Sequence, residues 1–236
     1  MPLPSTRPIR ALIFDMDGLL VDSEPLTGIA LKQLLGQYDC CIDWNDPDLI
    51  AQLMGRRMTE ILAVLAGLCD ITASAAALNE ALEALRVETI RGRLLAYPGA
   101  ASLLDFADSA GLRLGLATSG RRSYVDAVLA ETKFTGRFAV EVTGEQVSQG
   151  KPHPESYLLA ASRLGLPPEA CIVLEDAPNG IAAAVAAGTR AVAVPNEHTR
   201  SLLFNPPPEI TLSDLHSVIP WLQEQGVPGK GVYQTA

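Results

Sequence analysis

Ile9-Arg10-Ala11-Leu12-Ile13-Phe14-Asp15-Met16-Asp17-Gly18 is a short apolar run that ends in two carboxylates and a glycine. Short runs rich in Val, Ile and Leu, bounded by Gly, Pro, Asp or Ser, are the pattern of strands buried on both faces. The same pattern recurs at residues 112–117, 138–142, 171–174 and 190–194. Helical patterns lie between the later runs, at 100–110, 121–129, 155–164 and 180–187. Strand and helix alternating at this rhythm predict βαβ units, hence an α/β fold built on a parallel sheet.

From Asp22 to Leu95 the rhythm stops. No convincing strand is readable there, but helical spacing is, in Leu31, Leu34 and Leu35, then Ile61, Leu62 and Leu65, then Leu78, Leu82 and Leu85. Breaks fall at 43–47 and 67–72, and Tyr97-Pro98-Gly99 closes the segment. A crossover rarely needs about 70 residues, so the segment reads as an all-helical insertion between the first strand and the rest of the sheet. The expected division is a core of residues 1–19 and 96–236 with an inserted helical domain at 20–95, ending in a loose tail at 226–236.

The 236 residues are ample for one large domain core, and 48% hydrophobic against 19% charged excludes disorder and fibrous repeats. A formal charge of −9 argues against a nucleic-acid backbone as partner. No apolar run reaches the roughly 18 residues of a membrane helix, and the first ten positions lack the apolar middle of a signal peptide. Cys40, Cys41, Cys69 and Cys171 are scattered with no Cys-x-x-Cys pair, so Cys40 and Cys41 read as ordinary half-buried thiols in a reducing, cytoplasmic compartment. With no heptad seam readable, a monomer is the default state.

Residues two apart on a strand point the same way, so Asp15 and Asp17 share one site at a strand's carboxyl end, where open parallel sheets bind ligands. Like charges so close repel, and a divalent cation or a proton-transfer role would each explain the pair, as would a turn and a helix cap. An EF-hand loop fails, because Leu19 and Leu26 stand where oxygen ligands are required. A second acidic pair, Glu175-Asp176, follows the run at 171–174 and opens EDAPNG. Carboxylates from two strand ends form the hard-oxygen environment that Mg²⁺ prefers. Thr118-Ser119-Gly120 lies where a strand meets a helix, suited equally to phosphate oxygens or to simple capping. Lys151, between Gly150 and Pro152, is stiffly presented as a fixed counter-charge, although most lysines are only solvated surface.

Together the four motifs resemble the haloacid dehalogenase-like hydrolase superfamily, whose order is Asp-x-Asp, then Ser/Thr, then Lys, then an acidic pair. FDMDGLLVDSEP at 14–25, TSG at 118–120, GKPHPE at 150–155 and EDAPNG at 175–180 resemble the branch of β-phosphoglucomutase and the small sugar-phosphate phosphatases. The resemblance implies a Rossmann-like core with a helical cap over residues 20–95. It implies Asp15 as the nucleophile that forms an aspartyl-phosphate, and Asp17 as general acid and base. Mg²⁺ would rest on Asp15, the Asp17 carbonyl and Asp176, with Glu175 beside it. Thr118, Ser119 and Lys151 would hold the transferring phosphoryl oxygens.

The implied partner is a small phosphorylated sugar, polyol or nucleoside monophosphate. The branch's mutase carries a His where this chain has Thr27, and a cap Arg where it has Met58; Arg56 and Arg57 stand just before instead. Both departures favour a phosphatase over a mutase, with Arg56 or Arg57 reaching the substrate from the cap or, equally, lying solvated at a helix start. A catalytically silent binding protein is a third reading, though every catalytic position holds the expected residue type. A dehalogenase would attack carbon through the same Asp15 but has no need of the acidic pair. Asp22 and Glu24 read as caps of the first inserted helix or as neighbours of the metal, the cap being favoured, and His153, His198 and His216 as structural or surface residues.

Overall fold

In a computed structural model, which describes residues 8–53 and 58–229, the first apolar run becomes the central strand of the sheet. The strands are β1 (Ala11–Phe14), β2 (Arg113–Ala117), β3 (Val140–Val142), β4 (Cys171–Glu175), β5 (Arg190–Ala193) and β6 (Ile210–Thr211). They pair in the order β3-β2-β1-β4-β5-β6, all parallel, which bears out the α/β parallel-sheet reading. Ala11 stands opposite Arg113 on one side and Cys171 on the other, so the carboxyl ends of β1, β2 and β4 lie side by side. Every residue of β1 is fully buried, which is why it reads as a continuous apolar run rather than an alternation. The two-residue β6 was not readable, because so short an edge strand has no periodicity.

The helices in chain order are α1 (Glu24–Gly36), α2 (Pro47–Leu53), α3 (Met58–Leu68), α4 (Ala75–Ile90), α5 (Ala100–Ser109), α6 (Arg122–Thr132), α7 (Glu155–Arg163), α8 (Pro178–Ala186) and α9 (Leu215–Glu224). On one face of the sheet Ile13, Ala117, Val173 and Ala193 pack with Tyr157 and Ala160 of α7 and Ile181 and Ala184 of α8. The pleat sends Leu12 and Phe14 to the opposite face, where Phe14 meets Phe138 edge-on at 6.0 Å between ring centroids. Helix α9 escaped the sequence reading because Pro220 interrupts its pattern; its cap, Asp214, accepts from the Ser217 N–H at 2.9 Å.

The chain divides into two units, residues 24–93 and the remainder. The smaller one is helical, α1 to α4, around Leu31, Leu34, Leu35, Leu62, Leu65, Leu78 and Leu82. Ser74 caps α4 by accepting from the Ala77 N–H at 3.2 Å. No described helix is long and apolar enough to cross a membrane.

Cys40 is not an ordinary thiol but is joined to Cys69, with 5.5 Å between Cα atoms, while Cys41 and Cys171 are free. A separation of 29 residues carries no motif, so only packing of the chain after α1 beside that after α3 reveals the pair. Closing a loop of that length stabilises a fold by about 3–4 kcal/mol, chiefly by restricting the unfolded chain. Reduction is therefore expected to lower the melting temperature of the helical unit, measured by calorimetry with and without dithiothreitol. An unchanged melt, in a sample whose titratable thiols have risen from two to four, would overturn that role.

Candidate active site

The backbone turns sharply after β1. Leu20 and Val21 N–H groups both donate to the Met16 carbonyl, and the Gly18 N–H donates to Val21 O at 3.0 Å. Gly18 sits at φ +85°, and a Cβ there would fall 2.6 Å from Asp176 Oδ2, so this position needs glycine twice over. The turn leaves Asp15 buried at the strand end, with Asp17 partly exposed beyond it.

Lys151 joins the motifs. Its ammonium donates to Asp15 Oδ1, to Glu175 Oε1 at 2.7 Å and to the Ala117 carbonyl at 3.1 Å, linking the ends of β1, β4 and β2. Glu175 also accepts from the Tyr157 hydroxyl at 2.8 Å and from the N–H groups of Asp176 and Ala177 at 2.9 and 3.1 Å. Both its oxygens are thus engaged. A Cβ at Gly180 would fall 1.6 Å from Glu175 Oε1, so the last residue of EDAPNG is glycine to admit that carboxylate. Asp176 is held by Asn196, whose side-chain N–H₂ donates to Asp176 Oδ2 and to the Gly18 carbonyl, each at 3.0 Å.

Thr118 is buried at the end of β2 and its hydroxyl oxygen accepts from the Gly120 N–H at 3.0 Å, while Ser119 is exposed. Gly144 closes on this loop, since a Cβ there would stand 2.3 Å from the Ser119 carbonyl oxygen. Arg56 and Arg57 lie outside the described residues. Asp22 accepts a long hydrogen bond, 3.4 Å, from Tyr97, and Glu24 sits in the first turn of α1. His153 stands 3.9 Å from Glu155, and none of the three histidines joins the carboxylate group.

Burial pushes the Asp15 carboxyl up to about 8; Lys151 opposes that shift, and the charges of Glu175 and Asp17 add to it. Burial alone would depress Lys151, but the facing Asp15 and Glu175 carboxylates outweigh it and hold the ammonium well above the ordinary lysine value. The Tyr157 hydroxyl is likewise held protonated by burial and by Glu175. Ligand atoms of Asp15, Glu175 and Asp176 lie within 4.8 Å of one another. Carboxylates outnumber the single ammonium in this cluster and all are hard oxygen donors, a set that fits Mg²⁺.

Several residues here were missed in the sequence: Tyr157, Asn196, and Ser23 and Tyr124, whose hydroxyls donate to Asp17. Tyr157 follows GKPHPE by two positions and could have been suspected; Asn196 is 178 residues from the carbonyl it holds.

Comparison with known proteins bears on the same motifs. The haloacid dehalogenase-like hydrolase family model matches residues 9–188. Protein CbbY of Rhodobacter capsulatus is 38% identical over 199 residues, 81% of this chain and 88% of its own length. Hexitol phosphatase A of Escherichia coli K12 is 36% identical over 190 residues, 78% of this chain and 82% of that one. The crystal structure of CbbY from Rhodobacter sphaeroides in complex with phosphate has a TM-score of 0.79 at 27% identity, covering 89% of this chain and 96% of that one. The chain belongs to the haloacid dehalogenase-like hydrolases, in the branch of β-phosphoglucomutase and the small sugar-phosphate phosphatases.

Proposed function

We propose that this hydrolase is a Mg²⁺-dependent phosphatase of a small phosphorylated metabolite, a sugar, polyol or nucleoside monophosphate, acting through a phosphoryl group carried on Asp15. The observation that carries this reading is the Lys151 ammonium, fixed between Asp15 and Glu175 at the junction of three strand ends. A buried lysine so placed sets positive potential where phosphoryl oxygens would approach the Asp15 carboxylate.

The Asp15 carboxylate attacks phosphorus, and the bond from phosphorus to the ester oxygen breaks as Asp17 gives that oxygen its proton. Asp17 then takes a proton from the water that attacks the aspartyl-phosphate, releasing inorganic phosphate and restoring Asp15. Lys151, the Thr118 hydroxyl and the Ser119 N–H neutralise charge on the phosphoryl oxygens. Asp15, the Asp17 carbonyl and Asp176 would hold Mg²⁺, which supplies Lewis-acid stabilisation of phosphoryl charge when bound. Glu175, already engaged by its donors, orients Lys151 beside them. The helical unit would act as the cap, with substrate choice at Arg56 and Arg57. The reading assigns the chain to the cytoplasm, as a monomer, on the class of its substrate and not on its cysteines, two of which are joined.

The test is inorganic phosphate release from a panel of sugar, polyol and nucleoside monophosphates, with Mg²⁺ and with EDTA. Release that depends on the metal is expected, with polyol or sugar phosphates among the best substrates. No release from any compound would sink the proposal.

A further inference from the structure

Two hydroxyls converge on one oxygen of Asp17. Ser23 Oγ donates to Asp17 Oδ1 at 2.5 Å, and the Tyr124 hydroxyl donates to the same atom at 2.7 Å. Both donors are buried: Tyr124 is fully enclosed on α6, and Ser23 is 1% exposed. The Tyr124 ring has its own seat, because a Cβ at Gly120 would stand 3.0 Å from its Cδ1, so the glycine of the TSG motif makes room for it. A fully buried tyrosine costs free energy unless its hydroxyl is bonded, and here the hydroxyl is spent on a partly exposed carboxylate.

We infer that Tyr124 is a positioning residue for Asp17. With Ser23 it fixes Oδ1, so that the carboxyl carries its transferable proton on Oδ2 and presents that oxygen to the ester. This rests on the reading of Asp17 as the acid of a phosphatase. The turn after β1 sets the backbone of Asp17, and the two hydroxyls hold its carboxylate by Oδ1. Held this way, the proton is delivered without a search among rotamers, and the gain is confined to steps in which Asp17 must move one.

That confinement supplies the test. An alkoxide leaving group needs a proton as the phosphorus–oxygen bond breaks, whereas p-nitrophenolate leaves without one. The ratio kcat/KM reports formation of the phospho-enzyme, so later steps common to both esters do not enter it. Tyr124→Phe keeps the ring and removes the donor. It is expected to lower kcat/KM for the best alkyl phosphate about tenfold and for p-nitrophenyl phosphate by about twofold or less.

An equal loss with both esters, or no loss with either, overturns the assignment, since a tyrosine that only packs would not distinguish leaving groups. Ser23→Ala removes the other donor and should repeat the selectivity; it decides the matter if the Phe variant does not fold. A parent chain inactive on both esters would overturn the phosphatase reading and this one together. An active parent with an unselective Tyr124→Phe overturns this one alone.

Discussion

Asp15→Asn is expected to lower phosphate release by about 10⁴-fold or more while leaving the fold at least as stable as the parent. The amide has the shape of the carboxylate but cannot take phosphorus, and Glu175 beside it is saturated by donors. Stability is retained because Lys151 keeps Glu175 and the Ala117 carbonyl as partners. There is also a pH signature in the metal-free chain. Burial raises the Asp15 carboxyl from 3.8 to about 8. A group whose folded value lies above its unfolded one contributes stability that is fully present below the unfolded value and lost as pH rises through the folded one. Between 3.8 and about 8 the parent therefore loses this contribution, and the Asn variant, which cannot ionise, does not. Turnover assays with melting curves across that window check both halves. A variant keeping more than about 1% of the parent rate would remove Asp15 from the nucleophile's role.

The sequence announces the residues that sit at the ends of apolar runs and conceals those that support them. Asp15, Thr118 and Glu175 were legible because a buried parallel strand is a continuous apolar segment, and the first polar residue after it marks the ligand-binding edge. Lys151 was legible only through its Gly-Lys-Pro setting. Ser23, Tyr124 and Asn196 were not, because each meets its partner through tertiary packing: Tyr124 and Asp17 are 107 residues apart, and a tyrosine in a helical pattern reads as core. Gly18 and Gly180 each have a neighbour that a Cβ would strike, and Gly120 has one that it would crowd. Local spacing cannot encode that kind of constraint. Helix α9 and the Cys40–Cys69 pair were hidden for related reasons, one by an internal proline and the other by a contact made only when the helical unit packs. What sequence supplies is thus the chemistry at the strand ends, and what folding adds is the set of donors that orient it.

Lys151→Met tests that orienting layer more severely than any other change. Methionine fills much the same volume without charge, so its effect is that of removing the cation and not of opening a cavity. The ammonium has two carboxylate partners and lies 4.8 Å from the centre of the Tyr157 ring, and the carboxylates themselves hold it charged against burial. Taking one partner out of a buried ionic cluster leaves the others uncompensated and costs about 3–5 kcal/mol. The expected result is a lower melting temperature together with a loss of phosphate release of about 10³-fold, because the phosphoryl oxygens lose their fixed counter-charge. The two effects separate on adding Mg²⁺. A divalent cation held by Asp15 and Asp176 would restore positive charge to the cluster, so the metal should raise the melting temperature of the variant more than that of the parent. It should not restore turnover, since the charge returns at the carboxylates and not at the place proposed for Lys151 beside the phosphoryl group. A variant that melts with the parent would show that Lys151 is dispensable to the cluster, and one that turns over normally with Mg²⁺ would show that its charge is not needed for the chemistry.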